Sequence, residues 1–215
     1  IVIPSGVENI GPKAFCGCKE LKSITLPNAL TVIPEELLSG CKNLSELYFS
    51  NNVSSIGKEA FSDCEKVQKL HISNTVMSIG DGCFKGMSSL YEISLSESIK
   101  VIPDEAFADC RSLTKVICPE SVTRVGKSAF ENCENLFQVV FRAEFMAELG
   151  ENCLSDCKSL GSIVLYSLKP PICKKEIFDD DYREKVTLSV HPSAIGLYKD
   201  AKYWDDFDNI VPISQ

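Results

Sequence analysis

The sequence predicts a right-handed, parallel-strand solenoid of the α/β class, with about eight coils of 23 residues and a cap at the C-terminal end. Three observations carry this expectation. An anchor pair recurs as Ala14-Phe15, Leu37-Leu38, Ala60-Phe61, Cys83-Phe84, Ala106-Phe107, Ala129-Phe130 and Cys153-Leu154, at a spacing of 23 residues five times and then 24. Apolar residues alternate with polar ones over a few positions in every unit, which is the pattern of a short strand with one buried face. A Gly or Pro closes each unit at the same offset (Gly11, Pro34, Gly57, Gly80, Pro103, Gly126, Gly150) and punctuates a turn.

Within a unit the elements follow in order. Four residues after the start of the anchor pair comes Cys18, Cys41, Cys64, Met87, Cys110, Cys133 or Cys157, and three further on Leu21, Leu44, Val67, Leu90, Leu113, Leu136 or Leu160. The strand positions are Ile24/Leu26, Leu47/Phe49, Leu70/Ile72, Ile93/Leu95, Val116/Cys118, Val139/Phe141 and Ile163/Leu165. A second apolar doublet precedes the Gly or Pro: Val7/Ile10, Leu30/Ile33, Val53/Ile56, Val76/Ile79, Ile99/Ile102, Val122/Val125 and Phe145/Leu149. The seventh doublet carries one extra residue, which is expected to bulge locally between Phe145 and Leu149.

One unit cannot bury its apolar side chains alone. Stacked coils cover one another, and each fully buried Leu, Ile or Phe contributes roughly 1.5–3 kcal/mol. Equivalent strands then lie parallel at about 4.8 Å and form one long sheet. The wording of the units, such as IGKEAFSDCEKVQKLHI from Ile56 to Ile72 and IPDEAFADCRSLTKVIC from Ile102 to Cys118, resembles the BspA-like leucine-rich repeat family over roughly residues 1–165. The resemblance implies a leucine-rich-repeat solenoid found on or outside the cell surface of host-associated bacteria and some protozoa, where several members act as adhesins.

Ile1, Ile3 and Pro4 match Ile24, Leu26 and Pro27, so the chain opens halfway through a coil, and an upstream extension carrying a signal sequence or more repeats is expected. The solenoid is expected over residues 1–190, with a degenerate last coil at 166–190 in which Phe178, Val186 and Leu188 keep register while Asp179–Lys185 replaces the cysteine segment. Residues 191–215 read as a cap. Val186, Leu188 and Val190 form the last strand, Ser193 caps a short helix, and Tyr198, Trp204, Phe207 and Ile210 cover the open end. The stretch VHPSAIGLYKDAKYWDDFDNI also resembles the C-terminal piece of many surface-associated repeat proteins of anaerobic gut and oral bacteria.

A net charge of −8 argues against nucleic acid, whose binding rests on Lys and Arg displacing counterions. No apolar run has the ~18–20 residues of a membrane span. Most of the 11 cysteines fall on repeat positions, where parallel side chains suit buried free thiols better than disulfides. Cys16-Gly17-Cys18 and Cys153–Cys157 lack the paired spacing or nearby His of a zinc site. Asp179-Asp180-Asp181 lacks an EF-hand pattern and reads as a solvated loop. With His71 and His191 the only histidines, there is little material for a His-assisted nucleophile. Glu35-Glu36 and Asp104-Glu105 recur in register on solvated turns, unlike a paired general acid and base. Asn43-Leu44-Ser45 and Asn52-Val53-Ser54 are formal glycosylation sequons, relevant only in a eukaryotic source. No cofactor and no metal are expected.

These readings favour a non-enzymatic surface recognition or adhesion module for a protein or glycan ligand, such as one of host origin, with a structural spacer as the alternative. The strand residue between the two buried ones faces outward, giving the column Thr25, Tyr48, His71, Ser94, Ile117, Val140 and Val164, with Tyr166 just beyond. Tyr48, His71, Ile117, Val140, Val164 and Tyr166 are the candidate binding residues. The apolar run Ile117, Val140 and Val164 is read either as a contact patch or as β-branched residues that simply suit strands.

Overall fold

The computed structural model describes residues 1–177 and 184–213. Phe178 and Asp179–Asp181 lie outside the described residues. The chain winds into about eight stacked coils of roughly 23 residues with little helix. Each coil contributes two strands. The first series is β1 (Ser23–Thr25), β3 (Glu46–Tyr48), β5 (Lys69–His71), β7 (Glu92–Ser94), β9 (Lys115–Cys118), β11 (Gln138–Phe141), β13 (Ser162–Leu165) and β15 (Thr187–Val190). The second is β2 (Val32–Ile33), β4 (Ser55–Ile56), β6 (Ser78–Ile79), β8 (Val101–Ile102), β10 (Arg124–Val125), β12 (Glu148–Leu149) and β14 (Ile172–Cys173).

The single long sheet is corrected in two ways. The second apolar doublet forms parallel ladders of its own, Val32–Ser55–Ser78 and Val101–Arg124–Glu148–Ile172, with a break between β6 and β8. The first series is interrupted: β1 pairs β3 and β5 pairs β7, while β9, β11, β13 and β15 form one continuous sheet. At the breaks the core is less closed, and Leu47, Phe49 and Ile93 are only half-buried.

The anchor segment is a third inter-coil seam built from turns. Alternate amides donate to the next coil, as Glu36, Leu38 and Gly40 do to the carbonyls of Lys58, Ala60 and Ser62 at 2.8–2.9 Å. The geometry places one residue before each anchor pair and one before each Cys position in the left-handed region, for example Glu36 at φ 50° and Gly40 at φ 73°. The Phe side chains stack along the axis inside this seam, with ring centroids 5.9, 5.3 and 5.4 Å apart from Phe61 through Phe84 and Phe107 to Phe130. The closing glycines from Gly57 onward have a reason other than a positive φ. A Cβ on Gly150 would lie 2.4 Å from the Gly126 carbonyl carbon, so a side chain there would hold the coils apart.

The seventh unit also differs from its expectation. Met146, not Phe145, occupies the inward position and keeps the usual three-residue step to Leu149. The extra residue therefore sits in the turn after β11, and Phe145 is turned out to solvent with 65 % of its surface exposed.

The cap closes the stack through polar anchors as well as burial. Trp204 is buried and donates its indole N–H to the Pro171 carbonyl at 3.2 Å, and the Tyr198 hydroxyl donates to the Ser167 carbonyl at 3.2 Å. A short 3-10 turn (Pro192–Ala194) precedes helix α1 (Ile195–Lys199). Its cap is His191, whose ring accepts the Ser193 amide, and not Ser193 itself. The final strand β16 (Ile210–Pro212) pairs in parallel with β15 and extends the sheet.

Candidate interaction surface

Parallel register stacks equivalent residues, so an outward position becomes a column one strand spacing apart. Ile117, Val140 and Val164 pair in one continuous ladder, followed by Ser189 and Val211. The structure therefore brings three of the candidate residues together. Tyr48 and His71 are exposed on two other sheet segments, Tyr48 opposite Thr25 and His71 opposite Ser94. Tyr166 lies in a neighbouring column, one residue past the last buried strand position. Its column mates are Arg142 and His191, which follow Phe141 and Val190 as Tyr166 follows Leu165. The Arg142 and Tyr166 amides donate to the Cys118 and Phe141 carbonyls at 3.1 and 3.0 Å, which keeps these residues in sheet register.

Beside this column the extended turn creates a groove of about 460 Å³, lined by Glu120, Arg142, Glu144, Phe145, Tyr166 and His191 among others. Tyr166 exposes 42 % of its surface there. Phe145, Arg142 and His191 were missed in the sequence reading. The sequence expectation puts Phe145 inside because it is apolar and near the doublet position, whereas Met146 satisfies the three-residue step.

Phe137 was missed as well. It is 60 % exposed, and its ring covers Gly161, where a Cβ would come within 2.8 Å of the ring. The signal was available, because Phe137 and Tyr91 stand in a column otherwise made of Lys22, Ser45, Gln68, Thr114 and Gly161. Two further grooves of about 390 and 350 Å³ mark the breaks between β3 and β5 and between β7 and β9, and Tyr91 lines both. The Lys69 ammonium lies 5.3 Å from the Tyr91 ring centre and 2.6 Å from a Glu92 carboxylate oxygen.

The other chemically suggestive groups have structural partners. The ladder thiols donate to carbonyls of the preceding coil, Cys110 to Phe84 at 3.3 Å and Cys133 to Phe107 at 3.2 Å. Burial pushes Cys41 up to about 11 and Cys118 to about 12, which disfavours the thiolate that a nucleophile or metal ligand needs. Glu36 pairs with Lys13 at 3.0 Å, and Asp104 accepts the Lys127 amide at 2.8 Å. Among the described residues no group of three or more His, Cys, Asp or Glu is placed to hold a metal ion, and no helix is long and apolar enough to cross a membrane.

A family model described as BspA type leucine rich repeat region matches residues 1–111 and 78–196, with 6 copies of the repeat. No curated protein matches the sequence. Among solved structures, a leucine-rich repeat protein from Bacteroides ovatus aligns over 99 % of this chain and 72 % of its own, at 23 % identity and a TM-score of 0.52. A leucine rich repeat protein of T. pallidum aligns over 95 % of this chain and 79 % of its own, at 21 % identity and a TM-score of 0.50. A leucine rich cell surface protein from Faecalibacterium prausnitzii aligns over 71 % of this chain at 20 % identity and a TM-score of 0.46; the match spans 62 % of that protein's chain, less than two thirds.

Proposed function

Because the chain belongs to the BspA-type leucine-rich repeat family, we propose that it is a non-enzymatic recognition or adhesion module, secreted or held at the cell surface, that binds a protein or glycan through the face of its first strand series. The observation that carries this reading is the continuous outward column Ile117, Val140 and Val164, bordered by exposed Phe137, Phe145 and Tyr166. Exposed apolar surface of this kind marks interaction sites. It stands on a continuous parallel sheet, so binding orders few groups and costs little conformational entropy. Free thiols are compatible with an oxidising exterior here, since most of them are buried and held protonated.

The test replaces both Val140 and Val164 with Lys. The side chains are half-exposed, so the fold measured by circular dichroism is expected to persist. Capture on immobilised host matrix proteins or a glycan array is expected to be lost. Undiminished capture by the folded double variant removes the column as the binding site.

A further inference from the structure

We propose that the groove formed by the extended turn of the seventh unit binds a sugar residue of a neutral glycan. The proposal rests on the strand-face reading above and narrows it to one ligand class at one site.

The extra residue between Phe141 and Met146 has a definite consequence. It leaves the core unchanged, with Met146 and Leu149 both buried, and places an aromatic ring in solvent. An exposed Phe forgoes the stabilisation of burial, so the product of the insertion is a surface feature. Phe145 lines the same groove as Tyr166, and two exposed aromatic rings provide apolar faces for the C–H faces of a pyranose.

The rim determines what kind of ligand fits. Glu120 and Glu144 line the groove together with Arg142 and His191, so the rim carries both signs of charge and does not favour an anion. The same groups supply acceptors and donors together, which is what a ring of hydroxyls requires. The His191 ring is oriented for this task. Its Nδ1 lies 3.3 Å from the Ser193 amide, which donates to it, and 2.8 Å from the Ser193 hydroxyl, which fixes the ring beside the groove with Nε2 unclaimed by these contacts. The volume of about 460 Å³ lies within the ~300–1,000 Å³ of small-ligand sites.

An extended peptide fits less well. Peptides that lie on sheets use free backbone donors and acceptors at an edge. Here the Arg142 and Tyr166 amides are already committed to Cys118 and Phe141, so the strand residues beside the groove have no free amide to offer at these two positions.

The experiment uses the chain as it stands, with linear neutral hexasaccharides of glucose, mannose, galactose, xylose and N-acetylglucosamine and one sulfated hexasaccharide, by saturation-transfer NMR and calorimetry. At least one neutral sugar is expected to saturate with a Kd below about 1 mM. Tyr166→Ala is expected to weaken it about tenfold and Tyr166→Phe by no more than about twofold, since the ring face is what stacks. Three outcomes overturn the proposal: no neutral sugar binding up to about 10 mM, binding of the sulfated sugar alone, or undiminished binding by a folded Phe145→Ala/Tyr166→Ala variant. Protein capture that the Val140→Lys/Val164→Lys pair abolishes, in a chain that binds no sugar, would sink the glycan site and leave the strand-face reading standing.

Discussion

The coils carrying β1 to β7 and those carrying β9 to β15 share a buried seam and differ in their sheets. In both, the Phe stack and the second apolar doublet are buried, from Phe61 and Ile56 to Phe130 and Val125. Yet the earlier strands of the first series are three residues long and pair only two by two, whereas the later ones are four residues long and run unbroken. The outward residues differ accordingly: Thr25, Tyr48, His71 and Ser94 against Ile117, Val140 and Val164. β-Branched side chains pack laterally on a pleated surface and reinforce the ladder beneath them. Interior residues thus fix the coil, and the outward run Ile117, Val140 and Val164 accompanies the unbroken part of the sheet. The rigid, apolar, aromatic-bordered part of the face is a property of the later coils alone.

The largest expected effect separates the first coil, whose Cys16 and Cys18 are exposed, from the rest of the stack, whose ladder thiols are buried. Cys110, Cys118, Cys133 and Cys153 in the later coils are fully buried, and burial raises each of them above the ordinary thiol value of 9.0. Above that pH the unfolded chain releases protons that the folded chain retains. Stability is therefore intact below about pH 9 and falls as pH rises toward the folded values, by about 1.4 kcal/mol per pH unit for each thiol. Thermal melts are expected to be flat from neutrality to the onset of thiol ionisation and then to drop steeply. A flat profile through pH 10.5 would mean that these thiols are accessible. At neutral pH, alkylation followed by mass spectrometry should find Cys16 and Cys18 modified, since both are exposed, and the other ladder thiols, Cys41, Cys64, Cys110, Cys133 and Cys157, protected and unbridged.

Next in size is the Phe stack. Phe107→Ala leaves a cavity between Phe84 and Phe130 and should cost roughly 3–5 kcal/mol, while Phe15→Ala, in a half-buried first coil, should cost clearly less in denaturant unfolding. Equal losses would show the first coil to be as well packed as the middle.

Close approach of backbones gives a third contrast. Gly150→Ala inserts a Cβ against Gly126 and should destabilise by about 1–3 kcal/mol. Gly11→Ala meets nothing within 4 Å and should be tolerated. Comparable losses from both would refute the close-packing account of these glycines.

The smallest effect tests the rule for sheet continuity directly. Ser94→Ile adds a β-branched residue where β7 fails to pair β9, and a gain of at most about 1 kcal/mol is expected, with slower hydrogen exchange at Ile117. If exchange at Ile117 does not change, the outward residue does not control the join.

Much of this molecule was legible from spacing alone. The 23-residue period, the buried columns from Leu21 to Leu160, the outward column and the capping role of Tyr198 and Trp204 follow from which residues recur and which are large and apolar. A repeating coil must put the same positions inside each time, so periodicity determines burial. What spacing could not decide is anything set by the neighbouring coil. The second ladder, the breaks beside β5 and β9, the thiol that donates to a carbonyl 26 residues earlier, and the glycine that admits the backbone of the coil beside it all depend on how coils are offset along the axis. Phe145 shows the division at a single residue. The extra position was visible in the sequence, but only stacking against the coils on either side determined that Met146 fills the core and that the aromatic ring faces solvent.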